Sequence, residues 1–406
     1  MRGRESIALW LALTPALASA PRAAEGPAAG PAFDVVTTAG PGGSGRIAAI
    51  GVDRIEVAPD VGEPKAFATT DLVRLSRRAE APPAEGASVL LAEGDRIAQA
   101  TIARATDAAV EVRSAATGDA SVPLDAVLGL VLAPPTDPEA LDALVRRIRT
   151  EPRASEVAWL ANGDRVVGTF QGMDDRTVRL LVDGAPRELA REGVTALGFD
   201  PALVSYPRPD GPYLEVGLAD GSRLGLTGVK LERGRVSGVA RFGAEVGAPI
   251  DDIALIVPRT AAVAYLSERA VDAKSYTPYF DLVRPFQVDA DVEGRPMKLG
   301  GRRPERGFGT SSRTLLAFKL QPGDLRFQAS VGVDERAGPL GSVVFRVLAD
   351  GKERFATPPM TSRDAAVDVD VDLDGVKLLI LATEFGERGD VRDLADWAEA
   401  RVIRRP

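Results

Sequence analysis

The 406-residue sequence predicts an all-β fold, with tandem small β-barrel-like repeats followed by a C-terminal β-sandwich. Before residue 260, three near-copies of one heptapeptide, LAEGDRI, LANGDRV and LADGSRL, begin at Leu91, Leu160 and Leu218. Their E-G, N-G and D-G pairs favour tight hairpin turns, because Gly accepts a positive φ and Asn or Asp tolerates one. After residue 260 lie twelve of the 21 aromatic residues, among many short apolar segments with turn signals. That pattern is typical of two packed β-sheets.

The N-terminus has the pattern of a secretory signal peptide. Arg2 and Arg4 give a basic start, and the apolar run IALWLALTPALA precedes small residues. We expect a cleaved signal peptide at residues 1–18 and a linker at 19–33. An uncleaved membrane anchor is the alternative, but the apolar run is short for a bilayer span. The mature chain is therefore expected to have no membrane span and to be secreted, or periplasmic and attached to the cell envelope.

Four small β repeats are predicted at residues 34–77, 87–133, 155–201 and 212–258. Each has about 45 residues, the size of a five-stranded barrel of the SH3 or Sm-like type. A role as spacers or protein contacts is favoured over RNA binding, because the chain shows no basic aromatic face. Between the second and third repeats, residues 134–153 predict a linker helix, since Asp137 can cap it and Pro138 lies in its first turn.

The composition excludes several kinds of chemistry. The chain contains no histidine and no cysteine. An imidazole base, a thiolate nucleophile, a disulfide and a Cys/His zinc site are therefore excluded. The formal net charge of −8 argues against nucleic acid as a partner. Carboxylates remain available, and with them hard cations such as calcium.

Two stretches of the C-terminal part imitate ligand loops. RGFGTSSR (residues 306–313) resembles a phosphate loop, but such a loop needs a helix start, and the TLLAFKL that follows predicts a strand. DVDVDLDG (residues 368–375) resembles a calcium loop, but its twelfth position is Leu381, where a bidentate Glu is required. Alternation with apolar residues instead predicts a strand with its aspartates facing outward.

The stretch from Val263 to Arg405 resembles the NPCBM family of carbohydrate-binding modules, whose members are often attached to glycoside hydrolases. Four segments carry the resemblance, in order: YLSERAVDAKSYTPYF, LGGRRPERGFGTSSRTLLAFKL, FQASVGVDERAGPLGSVVFRVLADGKERF and VDLDGVKLLILATEFGERGDVRDLADWAEARV. The resemblance implies a galactose-binding-like jelly roll over residues 260–406, with ligand loops at one end and no catalysis of its own. Family members usually carry His at the position of Ser311, and often at that of Leu394.

The resemblance and the residue types together define a candidate site. Carbohydrate contacts are predicted from Thr310, Ser311, Asp334, Asp393, Asp396 and Trp397. A structural calcium ion is expected at Asp390 and Asp396, because clustered carboxylates suit a hard cation. Two alternatives remain open: Asp396 can accept hydrogen bonds from loop amides, and Trp397 can be part of the core.

The sequence therefore favours an exported, non-catalytic carbohydrate-binding protein whose jelly roll binds galactose-type glycans. It is not expected to be an enzyme, because no segment has the pattern of a hydrolase domain. The alternative is a structural or interaction protein of the cell envelope. In that case the jelly roll and the β repeats would contact a protein partner.

Overall fold

The computed structural model describes residues 30–77, 86–279 and 283–405. The all-β prediction is confirmed, since α1 (Pro138–Thr150) is the one α-helix of the described residues. No helix within these ranges is long and apolar enough to cross a membrane. The predicted signal peptide and most of the predicted linker at 19–33 lie outside the described residues. The domain boundaries drawn from the sequence stay predictions.

Four segments before residue 260 have similar orders of elements, with five strands in the first, third and fourth segments and six in the second. The strands of the first two are β1 (Ala32–Thr37), β2 (Gly40–Ile50), β3 (Arg54–Ala58), β4 (Lys65–Ala68), β5 (Leu72–Ser76), β6 (Ser88–Leu91), β7 (Arg96–Ile97), β8 (Thr101–Ala105), β9 (Ala109–Ser114), β10 (Gly118–Pro123) and β11 (Val127–Val131). Those of the last two are β12 (Glu156–Leu160), β13 (Arg165–Met173), β14 (Thr177–Val182), β15 (Ala185–Ala190), β16 (Val194–Gly198), β17 (Tyr213–Leu218), β18 (Arg223–Glu232), β19 (Arg235–Ala240), β20 (Glu245–Pro249) and β21 (Ile253–Arg259).

In each segment a single 3-10 turn precedes the last strand, which pairs antiparallel with the first strand. These pairs are β1 with β5, β6 with β11, β12 with β16, and β17 with β21. The segments are not neighbours in space in the order in which they follow in the chain. In the fourth segment, β21 pairs with β5 of the first segment, and β18 pairs with β7 of the second. The fourth segment therefore lies between the first and the second, and one hydrophobic core runs through all four.

The helix α1 connects the second and third segments. The Asp137 carboxylate accepts hydrogen bonds from the N–H groups of Glu139 and Ala140, which satisfies free donors at the helix start. Leu144 and Ile148 are buried against the core beside Trp159. The helix is therefore fixed at its start by a cap and along one face by packing.

Residues after 260 form a sandwich of two β-sheets. The strands are β22 (Val263–Tyr265), β23 (Ala273–Tyr276), β24 (Gln287–Val288), β25 (Gly307–Thr310), β26 (Thr314–Lys319), β27 (Asp324–Val333), β28 (Val343–Ala349), β29 (Lys352–Ala356), β30 (Val367–Asp372), β31 (Leu378–Phe385) and β32 (Ala395–Arg404). One sheet has the order β24-β25-β32-β27-β30, with β22 paired to β32, and the other has the order β23-β26-β31-β28-β29. The core between them includes five large aromatic side chains: Phe308, Phe318, Phe327, Phe345 and Trp397.

The two motifs that imitate ligand loops are both parts of this sandwich. Residues 307–310 of RGFGTSSR form β25, and residues 311–313 connect it to β26. In β30, Val369 and Val371 are buried while the aspartates between them are exposed, as alternation predicts. Neither motif holds a helix start or a calcium loop.

The connections at the two ends of the sandwich differ in length. At one end, residues 320–323, 350–351 and 373–377 make short turns. At the other end, longer connections cluster: 277–286, 289–306, 334–342, 357–366 and 386–394, together with 311–313. We call this second end the long-loop end; it is where the candidate site residues lie.

Candidate functional site

The structure brings the predicted site residues together at the long-loop end. In the ladders, Thr310 lies opposite Ala395, and Asp396 lies opposite Gly332. Asp334 follows β27 directly, and Asp393 precedes β32. However, all six predicted carbohydrate contacts are buried, and none exposes more than 1% of its surface. These residues therefore build the interior of the long-loop end, and their contact with a glycan stays a prediction.

Trp397 belongs to the hydrophobic core of the sandwich. Its ring packs edge-on against Phe345 at 5.2 Å between centroids, and its Nε1–H donates a hydrogen bond to the Thr383 hydroxyl at 3.0 Å. Glu399 has a φ of 55°, and the register with β27 shifts beside it. This bulge breaks the strand alternation, so that Trp397 and Ala400 both face the core. Trp397 is therefore part of the core, and its predicted contact with a sugar stays a prediction without support from this packing.

The hydroxyl residues of RGFGTSSR are also structural. The Thr310 hydroxyl donates to the Ala395 carbonyl at 3.2 Å and lies 2.8 Å from the Thr383 hydroxyl. Ser312 donates to the Asp393 carboxylate. The Ser311 hydroxyl is buried without a hydrogen-bond partner among the described residues. Thr310 and Ser311 both lie beneath the loops, so their predicted contact with a glycan stays a prediction that their burial does not support.

Asp393 fixes two loops to each other. Its carboxylate accepts the Ser312 hydroxyl and the Ser342 N–H, the latter at 2.9 Å. Burial raises the pKa of Asp393 to about 6, against the lowering effect of these two hydrogen bonds, and nearby Asp390 raises it further. This carboxyl holds the connections 311–313 and 334–342 together and is not accessible to a glycan.

Asp334 and Asp396 form a buried carboxyl pair. Asp334 accepts hydrogen bonds from the N–H groups of Lys298 at 2.7 Å and Arg336 at 2.8 Å. Asp396 accepts none, and burial raises its pKa well above the ordinary value, assisted by the negative charges of Asp334 and Asp291. Burial and the neighbouring carboxylates therefore both favour the neutral form of Asp396 over the charged form.

The donors of the expected calcium site do not fit the ion. The pKa of Asp396 is raised by burial and by the charges of Asp334 and Asp291, whereas Asp390 raises the pKa of a different carboxyl, that of Asp393. A protonated carboxyl is a poor ligand for a hard cation. Within the three described ranges, no group of three or more carboxylates has an arrangement that could hold a metal ion. Calcium at Asp390 and Asp396 stays a prediction without support from this geometry.

The surface of the long-loop end presents a different set of residues. Tyr279 is 57% exposed, and its ring packs edge-on against Phe385 at 5.5 Å. Gly389 lies against the same ring, where an added Cβ would come within 3.3 Å of it. Leu340 and Val391 are exposed on neighbouring loops. Tyr279 is not among the site residues predicted from the sequence, although the segment SYTPYF belongs to the stretch that resembles the family.

Two surface depressions of about 320 and 490 Å³ lie elsewhere, at the short-loop end of the sandwich and along β30. Their walls include Gln321, Asp374, Lys377 and Arg405, and no aromatic side chain lines either one. Sugar rings are commonly held by an aromatic face together with polar groups. The long-loop end is therefore the better candidate for a glycan site.

Comparison with known families assigns the sandwich. Residues 263–403, from the start of β22 into β32, match the family described as NPCBM/NEW2 domain. This part of the chain is similar to that family, and we call it the NPCBM/NEW2 domain. A Renibacterium salmoninarum protein named "Putative endo-alpha-N-acetylgalactosaminidase" is 29% identical over 114 residues. That match covers 28% of this chain and 8% of the relative, so the chain corresponds to a small part of the relative's length.

Solved structures similar to this chain include two carbohydrate-binding modules of Clostridium perfringens. A CBM51 module from GH95, solved in complex with methyl-galactose, is 25% identical and matches 34% of this chain and 99% of its own, with a TM-score of 0.32. The structure of CBM51-2 and INT domains from ZmpB, in complex with GlcNAc, is 20% identical and matches 49% of this chain and 39% of its own, with a TM-score of 0.33.

Proposed function

We propose that this chain is an exported, non-catalytic carbohydrate-binding protein whose NPCBM/NEW2 domain binds a galactose-type glycan at the long-loop end. The observation that carries the proposal is the family match of residues 263–403, in a domain whose long-loop end presents an exposed tyrosine ring. The name of the Renibacterium relative points to a sugar of the galactose series. Export rests on the signal-peptide pattern of residues 1–18.

The bound sugar is proposed to stack on Tyr279. Phe385 packs edge-on with this ring and Gly389 lies against part of it, so the sugar is proposed to use the part of the ring that stays exposed. The apolar C–H face of a galactose-type ring fits such an aromatic surface. The guanidinium of Arg284 lies close by, donating to the Asp390 carbonyl at 3.4 Å, and its other N–H groups are suited to sugar hydroxyls.

A binding role without catalysis fits the carboxylates of this end. Hydrolysis of a glycosidic bond uses two carboxyl groups that face the substrate, roughly 5 to 9.5 Å apart. Asp393 and Asp396 are both fully buried, and Asp393 accepts the Ser342 N–H. They stabilise the loops and do not face a bound sugar.

Substitution of Tyr279 tests this site. We expect Tyr279→Ala to weaken binding of the full chain to immobilised galactosides about tenfold or more, because the stacking surface is lost. Tyr279→Phe keeps the ring and should bind nearly as the unchanged protein does. Leu203→Ala removes an exposed apolar side chain far from the domain and serves as the control. Equal binding by Tyr279→Ala and the unchanged protein would overturn this placement of the site.

A further inference from the structure

The repeated heptapeptides of the second and fourth segments dock onto each other. Arg96, from LAEGDRI, lies directly opposite Arg223, from LADGSRL, in the pairing of β7 with β18. The Arg96 guanidinium donates two hydrogen bonds to the Gly221 carbonyl, from Nε at 2.9 Å and from Nη2 at 2.5 Å. Like charges that face each other across a ladder repel, so this arrangement needs compensating negative charge.

A third arginine joins this pair from the last turn of α1. The Arg149 side chain donates from Nη2 to the Gly94 carbonyl at 3.3 Å, two residues from Arg96. Burial, followed by the positive charges of Arg96 and Arg223, lowers the pKa of Arg149 to about 10. Three guanidinium groups thus share one junction between the second segment, the fourth segment and the helix.

The carboxylates around the junction leave two of these arginines uncompensated. Arg223 is paired with Glu215 at 2.6 Å and also with Glu305. Arg96 and Arg149 have no carboxylate within 4.0 Å in the part of the chain that the structure describes. The nearest acids are engaged elsewhere: Asp142 pairs with Arg303 at 3.5 Å, and Asp220 accepts the Ser222 N–H and hydroxyl. Asp95, which acts on Arg149 from a distance, accepts the Tyr206 hydroxyl and the Gly225 N–H.

We propose that Arg96 and Arg149 form a binding site for a tetrahedral oxyanion, sulfate or phosphate, at this junction. Each guanidinium carries five N–H donors. Arg149 uses one of them on a protein acceptor and Arg96 uses two, so several remain for the oxygens of a ligand. Guanidinium groups bind such oxyanions through paired, charge-assisted hydrogen bonds. A bound anion also relieves the repulsion among the three arginines. This site does not depend on glycan binding by the NPCBM/NEW2 domain.

Anion titration of the full chain tests the proposal. Sulfate and phosphate should each raise the melting temperature saturably, beyond the effect of chloride at the same ionic strength. Calorimetry on the unchanged protein should show binding of the same ions. A chloride-like response to both oxyanions, together with no calorimetric binding, would overturn the proposal.

Matched variants locate the site. Arg149→Gln should weaken oxyanion binding about tenfold or more, because charge-assisted hydrogen bonds are lost. Arg147→Gln removes the same charge from an exposed position of the same helix, where Arg147 pairs with Glu151, and should leave binding unchanged. Unaltered oxyanion binding by Arg149→Gln contradicts the assignment. Glucose 6-phosphate distinguishes between two possible ligands of the site. If it binds more tightly than inorganic phosphate, the ligand is a sugar ester, and if it binds more weakly, the ligand is the free ion.

Discussion

At the scale of single residues, Asp393 makes the stability of the NPCBM/NEW2 domain depend on pH. Its pKa is raised to about 6, chiefly by burial. The folded state therefore binds a proton that the unfolded state has lost between about pH 4 and pH 6. The stability from this proton is fully present below the ordinary carboxyl pKa, and it is lost as the pH rises through 6.

Asp393→Asn should remove this dependence. Asn is neutral at every pH, its carbonyl can still accept the Ser342 N–H, and its amide can donate to Ser312. The free energy of unfolding of the unchanged protein, relative to the variant, should fall by up to about 3 kcal/mol between pH 4 and pH 7. Chemical denaturation at a series of pH values measures this difference. Parallel pH profiles for the two proteins would show that Asp393 does not titrate in this range.

The place of the candidate residues could be predicted from the sequence, but their exposure could not. The family pattern placed Thr310, Asp393 and Asp396 near one another, and the structure shows them at one end of the sandwich. Alternation along β32 left the exposure of Trp397 open, because no sequence signal announces the bulge at Glu399. Tyr279 was missed because its exposure depends on the packing of residues 386–394, far away in the sequence.

At the scale of elements, the glycines of β25 are required by close packing. An added Cβ at Gly309 would lie 2.2 Å from the Asp291 carbonyl carbon and 2.3 Å from the Val292 nitrogen. Both of these are backbone atoms, which cannot move aside as a flexible side chain can. The G-x-G spacing of RGFGTSSR therefore serves strand packing, as the strand that follows it had indicated.

Gly309→Ala should destabilise the protein by about 3 kcal/mol or more, because the 289–306 connection must shift away from β25. Gly211→Ala is the matched control, since an added Cβ there meets nothing within 4 Å. Thermal and chemical unfolding of both variants measures the difference. If the two substitutions cost the same, the close approach seen at β25 does not matter for stability.

At the scale of the whole molecule, a buried charge network joins the fourth segment to the NPCBM/NEW2 domain. The Glu215 carboxylate, in β17, pairs with Arg223 at 2.6 Å, with Arg259 at 3.3 Å and with Arg306 at 2.8 Å. Burial by itself would raise the pKa of Glu215, but the three arginines outweigh it and lower the pKa to about 2. Arg306 begins RGFGTSSR, so this motif also anchors the domain.

Glu215→Gln should uncouple the two parts of the chain. Removing one partner of a buried charge network costs about 3–5 kcal/mol, because the remaining charges lose their compensation. We expect a lower melting temperature and faster proteolysis near residue 260. Glu232→Gln, at an exposed glutamate paired with Lys230, is the control and should change neither. An unchanged cleavage rate in Glu215→Gln would mean that apolar contacts alone hold the domain in place.

The arrangement of the four segments could not be predicted from the sequence. The hairpin turns follow from local turn residues, and the structure shows a hairpin at each heptapeptide. The spatial order, in which the fourth segment lies between the first and the second, depends on pairings between distant strands. The hydrophobic periodicity of a sequence does not indicate which distant strands pair. The prediction that these segments act as spacers or protein contacts stays a prediction.

The most direct test of the central claim is a calorimetric titration of the full chain with galactose and N-acetylgalactosamine, with calcium present. We predict saturable binding of at least one of these sugars. The binding should be lost in Tyr279→Ala and retained in Tyr279→Phe, with unfolding curves showing that both variants are folded. Absence of binding to both sugars by the folded, unchanged protein would contradict the proposed function.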